Sequence, residues 1–383
     1  MKIAYVTTYD SSDVRNWSGS GFYIRKALEA QGNEILPIGN LNEPTFWPFF
    51  PKALYYKYIA KKNYHIRREP SVLKNLARQV NERLADQNYD IIFCPGTSPI
   101  SYLKKRSPIV VWLDSTFATA IDFYPYYTNL AAETIRKANQ TTQMALDKAD
   151  LILFNSQWAA DCTLKNYKVP SSKVSVVPFG ANIDTNRDRT EINRIISNRK
   201  RTCCELLFVG VEWERKGGDV AVQIAGELNR RGIPTKLHIV GVKSPRTLPD
   251  YCLEYGFISK ASEPGKELIN SLFARSHFFI LPSRAEMCAV VFAEAASFGL
   301  PVLTTNVGGI PTAIQNGKNG QMFELDANIN SYADYIEDIF VSPNSYNAFA
   351  ESSFEEYLER LNWDIAGKKV QILIEGCVLP QVK

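Results

Sequence analysis

With 383 residues the chain is long for a single core, and two domains follow from length alone. Its 44 basic and 40 acidic residues leave a formal charge of +4, a modest surplus that does not mark a nucleic-acid binder, whose footprint is a concentrated basic stripe. Seven cysteines, odd in number and without a C-x-x-C pair, argue against a disulfide framework and against structural zinc, and make a reducing cytoplasm the simplest home.

The start, MKIAYVTTYD, carries one lysine and an apolar run too short for a signal peptide. No stretch approaches the ~18 apolar residues of a spanning helix, so the chain is expected to be soluble or peripheral to a membrane. Ile3 to Thr7 reads as the first strand, Asp10 to Gly21 as a loop ending in Gly19-Ser20-Gly21, and Phe22 to Gln31 as a helix stopped by Gly32. Strand, glycine loop and helix form a βα unit that lets backbone approach a phosphate or sugar; the same glycines also suit a plain flexible turn.

Residues 44–68 mix aromatic side chains with lysine and arginine. The mixture suits a water–lipid interface, and equally a lid or a packed helix with a basic outer face. His65, within it, is read as structural. A helix, Ser71 to Gln87, leads to the strand Asp90 to Cys94. The buried strand Ile109 to Leu113 then delivers Asp114 to the carboxyl edge of a sheet, where open α/β folds bind ligands. Asp114 is either a site carboxylate or a helix N-cap or turn aspartate. The aromatic loop Asp122 to Asn129 lines an acceptor cleft or packs.

Helix Ala131 to Lys148 and strands Leu151 to Phe154 and Val174 to Val177 complete a first domain, with the boundary placed near Gly180. Asp184 to Thr202 reads as linker plus surface helix. Strand Glu205 to Val209 runs into a loop carrying Arg215, Lys216, Gly217 and Gly218, and a helix, Asp219 to Arg231, follows. Two cations beside a helix start describe an anion site, or else an exposed basic turn. After the strand Leu237 to Val240 and the helix Lys266 to Arg275, His238 and His277 read as structural.

From Phe278 to Phe323 the chain reads as buried strand, turn, helix (Val290 to Phe298), strand and a turn at Gly308-Gly309. Two carboxylates, Glu286 and Glu294, fall at the helix start. On a continuous helix they would stand roughly 12 Å apart, a span that suits two hydroxylated rings joined by a diphosphate.

PSRAE, seven residues, EAASFGLPV, then NVGGIP and NGKNGQMF, resemble the donor-binding core of the retaining glycosyltransferases of family 4. Further matches extend over nearly the whole chain. The resemblance implies an α/β architecture of two Rossmann-like domains facing a cleft (GT-B). An acceptor-side domain (1–180) would be completed by a returning helix (361–383), and a donor domain would span 181–360. By the same resemblance Glu286 contacts the donor sugar and Glu294 the ribose. Arg215 and Lys216 hold the diphosphate, and Phe257 and Ile258 lie where backbone reads the base. Gly19 and Gly21 face donor phosphates and acceptor, and Asp114 lies close to the reacting sugar.

Two departures stand out. Where the family usually has Glu-Gly-Phe-Gly, this chain has Glu286-Met287-Cys288-Ala289 ahead of Val290, less free to adopt positive φ beside the sugar. Thr312 replaces a frequent glutamate. The activity implied is retaining, metal-independent transfer of a hexose from a nucleotide diphosphate sugar to a hydroxyl of a glycan, lipid or small molecule. No cofactor is expected beyond that donor substrate, and no metal, since Asp-x-Asp is absent from the sequence. A lipid-linked acceptor would place the chain at the inner face of a membrane, with residues 44–68 in contact. A sugar-nucleotide epimerase or phosphorylase on the same fold, and a non-catalytic sugar-nucleotide binder, are the competing readings.

Overall fold

The computed structural model describes residues 1–43, 46–184 and 187–378. Parts of the segments 44–68, 184–202 and 361–383, namely Pro44, Thr45, Thr185, Asn186 and 379–383, lie outside the described residues.

The chain forms two compact units. The first comprises Met1–Val177 and the chain from Ala366 onward, and the second Pro178–Ile365. In the first, six strands, β1 (Lys2–Val6), β2 (Glu34–Ile38), β3 (Ile91–Cys94), β4 (Ile109–Leu113), β5 (Leu151–Phe154) and β6 (Val174–Val176), form one sheet in the order β2-β1-β3-β4-β5-β6. Every pairing is parallel. Helices cover both faces of a parallel sheet, so its inner strands must be apolar on both sides. IIFC, IVVWL and LILF are accordingly buried at every position.

The second unit repeats the plan with β7 (Cys204–Val209), β8 (Thr235–Val240), β9 (Cys252–Gly256), β10 (Phe278–Leu281), β11 (Val302–Thr305) and β12 (Gly320–Phe323), ordered β12-β11-β10-β7-β8-β9. The chain winds from β7 outward to β9, then returns to begin again at β10. The crevice between the carboxyl ends of β7 and β10 is therefore a topological switch point.

The last helix, Trp363–Val378, belongs mostly to the first unit. Gly367 lies so close to the first helix that a Cβ would stand 2.8 Å from the Ala27 carbonyl oxygen. Asn33 Nδ2 donates to Gln371 Oε1 at 2.8 Å. The architecture is thus two Rossmann-like α/β units with a C-terminal helix returning to the first.

Local differences from the sequence reading have physical causes. The first helix spans Ser20–Ala30 rather than starting at Phe22, because Gly19 at φ 88° takes the cap position. Gly180 falls in the second unit, since its Cα packs directly on the Trp363 backbone, where a Cβ would lie 2.4 Å from the amide nitrogen. The polar run after Asp184 is more than surface, because Ile192 and Ile196 on the helix Arg189–Ser197 enter the second core. Strands β2, β9 and β12 are additions to the sequence reading. All three histidines are buried, in keeping with structural roles.

Candidate functional site

The site in the second unit is built from the loops that leave β7 and β10, which pair side by side through Leu207 and Phe279. After β7 the chain makes one helical turn, Trp213–Lys216, and reverses at Gly217 with φ 73°. A Cβ at Gly217 would sit 2.0 Å from the Pro282 carbonyl oxygen, so the two loops touch backbone to backbone and only glycine fits. This contact sets Arg215 and Lys216 against Ala285 and Glu286.

Arg215 Nη1 donates to the Ala285 carbonyl at 2.9 Å, while its Nε and Nη2 grip the Glu212 carboxylate at 2.9 and 2.7 Å. The same Nη1 lies 3.5 Å from Glu286 Oε2, and Lys216 Nζ forms an ion pair with that oxygen. The Arg215 hydrogen bonds hold the Glu212 carboxyl below its ordinary range. Glu286 is buried, and its carbonyl accepts the Gly309 amide at 2.9 Å, which ties it to the turn after β11. Two cations and two carboxylates meet here, and Glu212 is a charge partner of Arg215.

Glu294 lies on the short helix Val290–Ala296. The helix is not continuous back to Glu286, so the 12 Å spacing does not apply. Residues 287–289 are irregular, with Met287 and Ala289 buried, and none of the three is at positive φ. Replacing the family's glycines therefore costs no backbone strain here.

One oxygen of the buried Glu294 carboxylate pairs with Lys260, which the loop after β9 supplies. The other, Oε2, is buried and has no hydrogen-bond partner among the described residues. Leaving such an acceptor unmade costs about 1–3 kcal/mol, so a buried carboxylate oxygen without a donor calls for an explanation. Lys260 was missed in the sequence, where no spacing or motif marks it.

Arg199 was missed as well. It is buried and donates to the carbonyls of Phe298 and Gly299, both at 2.7 Å, and to that of Ala274 at 3.0 Å. It thereby holds the chain just beyond the helix that carries Glu294. Phe257 follows β9 with its ring exposed, and Ile258 beside it is half-buried.

In the first unit, Trp17, Ser18 and Gly19 take left-handed conformations in succession, with φ 48°, 53° and 88°. This strained turn carries the Trp17 indole N–H to 3.3 Å from Asp114 Oδ2, and the Ser115 hydroxyl donates to Asp114 Oδ1 at 3.1 Å. Asp114 caps no helix, since Thr116 holds that position. Burial raises its carboxyl pKa. Gly21, expected in a ligand loop, is instead inside the first helix and buried beneath Tyr9, whose hydroxyl a Cβ would meet at 2.2 Å. Its missing side chain makes room for Tyr9.

Sheet register places Asn155 next to Asp114, one step beyond the Leu113–Phe154 pair. Asn155 is buried with both amide atoms unpartnered among the described residues, as is the Tyr9 hydroxyl. A polar residue just past an apolar strand was the available signal for Asn155. The aromatic loop packs, with Tyr126 stacked on His65 at 4.3 Å and Phe123 against Trp158 at 4.6 Å.

Two family models match in succession: the model "Glycosyltransferase Family 4" over residues 22–185 and "Glycosyl transferases group 1" over 190–356. D-inositol 3-phosphate glycosyltransferase of Corynebacterium urealyticum is 26% identical over 247 residues, 60% of this chain and 57% of that protein. The chain spans little more than half the length of the curated relatives it matches. Among solved structures, sucrose-phosphate synthase of Thermosynechococcus elongatus superposes with a TM-score of 0.68 at 15% identity, covering 98% of each chain. HepE of Anabaena, solved with UDP and glucose, superposes at 0.64 and 14% identity, covering 98% of this chain and 99% of that one. These likenesses establish the shared fold.

Proposed function

The chain belongs to the GT-B glycosyltransferases of the family 4 type, and on that premise we propose that it transfers a hexose, with retention and without a metal ion, from a nucleotide diphosphate sugar to a hydroxyl acceptor. The observation that carries the reading is Glu294 Oε2, a buried carboxylate oxygen awaiting a donor in the unit that also presents Arg215 and Lys216. Ribose hydroxyls are suitable donors to it, and the diphosphate is a suitable anion for the two cations.

Arg215 and Lys216 pair with Glu212 and Glu286. A bound diphosphate supplies new acceptors, and the cations shift toward it while Glu286 is released to the hexose. As the bond between the anomeric carbon and the phosphate oxygen breaks, charge gathers on the leaving diphosphate. Arg215 and Lys216 stabilise that charge, which is the step the site is built to assist. Phe257 and Ile258 border the nucleobase. Asp114, with Asn155 beside it, offers hydrogen bonds to hydroxyl groups from the first unit. HepE was solved with UDP, so uridine diphosphate sugars are the first donors to test.

A thermal-shift screen against uridine, guanosine and adenosine diphosphate sugars tests the reading, because a ligand that binds only the native state raises its melting point. One of these classes is expected to raise it, and the selected donor should then be consumed in the presence of a hydroxyl acceptor and a chelator. Turnover of the donor to another sugar nucleotide without acceptor would identify an epimerase. No shift with any of the three would overturn the proposal.

A further inference from the structure

The segment that follows β2 contains a helix built inside out. It runs Phe50–Leu54 and continues as a wider turn over Tyr55–Ile59. Its inward side is polar: Lys52 pairs with Glu133, and Tyr56 donates to Glu133 Oε2 at 3.1 Å. Lys137 joins the same cluster by reaching Glu69 at 2.8 Å. The outward side is apolar, with Trp47 79%, Tyr58 64% and Ile59 73% exposed and Phe50, Leu54 and Tyr55 exposed beside them. A helix meant for water does the reverse and turns its polar face outward.

A continuous exposed apolar face of this kind marks an interaction surface. Its neighbours indicate the partner. Between Glu43 and Glu69 the sequence has no acidic residue and six lysines and arginines. Lys52 is spent inward, Arg67 pairs with Glu43 at 2.8 Å and Arg68 lies over the Phe117 ring. Lys57, Lys61 and Lys62 are exposed around the end of the aromatic face, Lys62 with one donated bond to Asn129 Oδ1 at 2.7 Å. Protein interfaces deplete lysine, whereas a headgroup layer accepts tryptophan and tyrosine rings together with snorkelling lysines.

We propose that Trp47, Phe50, Leu54, Tyr55, Tyr58 and Ile59 form a docking surface for an anionic lipid bilayer, with Lys57, Lys61 and Lys62 engaging its headgroups. Among the described residues no helix is long and apolar enough to cross a membrane, so the contact is interfacial. The inference rests on the first unit alone and is independent of the donor-site reading.

The test is co-sedimentation of the full chain with vesicles of phosphatidylcholine containing phosphatidylglycerol, against phosphatidylcholine alone, at low and high salt. Binding is expected only to the anionic vesicles, with release as salt screens the charges. Joint replacement of Lys57, Lys61 and Lys62 by glutamine should lower partitioning roughly a hundredfold. Joint replacement of Trp47, Tyr58 and Ile59 by serine should lower it by about tenfold or more. These side chains are exposed, so both variants should keep the wild-type melting point and nucleotide binding. As a second readout, brominated lipids should quench the Trp47 contribution, taken as wild type minus Trp47→Phe. Failure to sediment at low salt would overturn the proposal. So would full binding by the serine variant, which would mean charge adsorption only. Concentration-dependent self-association abolished by the serine variant would overturn it in favour of a second copy.

Discussion

Replacing Glu294 by glutamine keeps the shape of the side chain and removes its charge, which isolates what the unpartnered oxygen does. Ligand-free, the change should cost little. Lys260, the partner of the other oxygen, is 33% exposed, so water can take up its charge, while a neutral amide relieves the desolvation of the buried carboxylate. With ligand the balance differs, because a buried carboxylate that accepts a ribose hydroxyl makes a charge-assisted bond of about 1.5–3 kcal/mol. Affinity for the nucleoside diphosphate should therefore fall about 10- to 150-fold.

Calorimetry with that diphosphate and with its 2′-deoxy and 3′-deoxy analogues checks the assignment. The wild type should lose a comparable factor on one of the analogues, and the Glu294→Gln chain should scarcely distinguish that analogue from the parent. Such non-additivity arises when residue and hydroxyl touch or share one hydrogen-bond network. If Glu294→Gln still discriminated by the wild-type factor, Glu294 would not hold the ribose.

Arg215→Ala together with Lys216→Ala should cost ~3 kcal/mol or more in kcat/KM, read from steady-state kinetics with the selected donor. Glu286→Ala should weaken the sugar-bearing donor and tighten the free nucleoside diphosphate, because Lys216 loses its internal partner; calorimetry with both ligands checks this. Activity should survive a chelator, and an assay with and without added magnesium or manganese reads it. His277 is buried with its pKa pushed down to about 3, against about 6.5 in an unfolded chain. Between those values the unfolded state binds more protons, so stability falls as pH falls from 6.5 toward 3. About 2 kcal/mol should be lost between pH 7.5 and 5, and in chemical denaturation His277→Gln should flatten the slope by that amount.

The inner strands were legible because burial on both faces forces an unbroken apolar run, as in IVVWL of β4 and FFIL of β10. Three of the four outer strands were not, β6 with its two valines being the exception. β2 reads EILPI, with a proline tolerated only at a sheet edge, and β9 reads CLEYG and β12 GQMF; each is half-exposed and carries no continuous apolar signature. The same division holds in the site. Arg215, Lys216, Glu286 and Glu294 sit in motifs that a sequence displays. Lys260 and Arg199 act through positions in space that only the assembled sheet brings about, and nothing local to either residue announces its partner.

Gly21 shows a signal with a cause the sequence does not display. A side chain there would collide with the ring of Tyr9, so the fold itself requires glycine at that position. The reasoning transfers to Glu286, where the motif suggested a residue facing the sugar and the structure adds that it first neutralises Lys216. A site whose cations are already paired does not attract a diphosphate by raw charge; it exchanges partners. On the proposed reading, binding would release Glu212 and Glu286 from Arg215 and Lys216, and Glu286 would become available to the hexose only with the diphosphate in place. Donor sugar and diphosphate would on that reading be recognised together, through one ion pair that forms inside the protein and would be replaced by two contacts to the ligand.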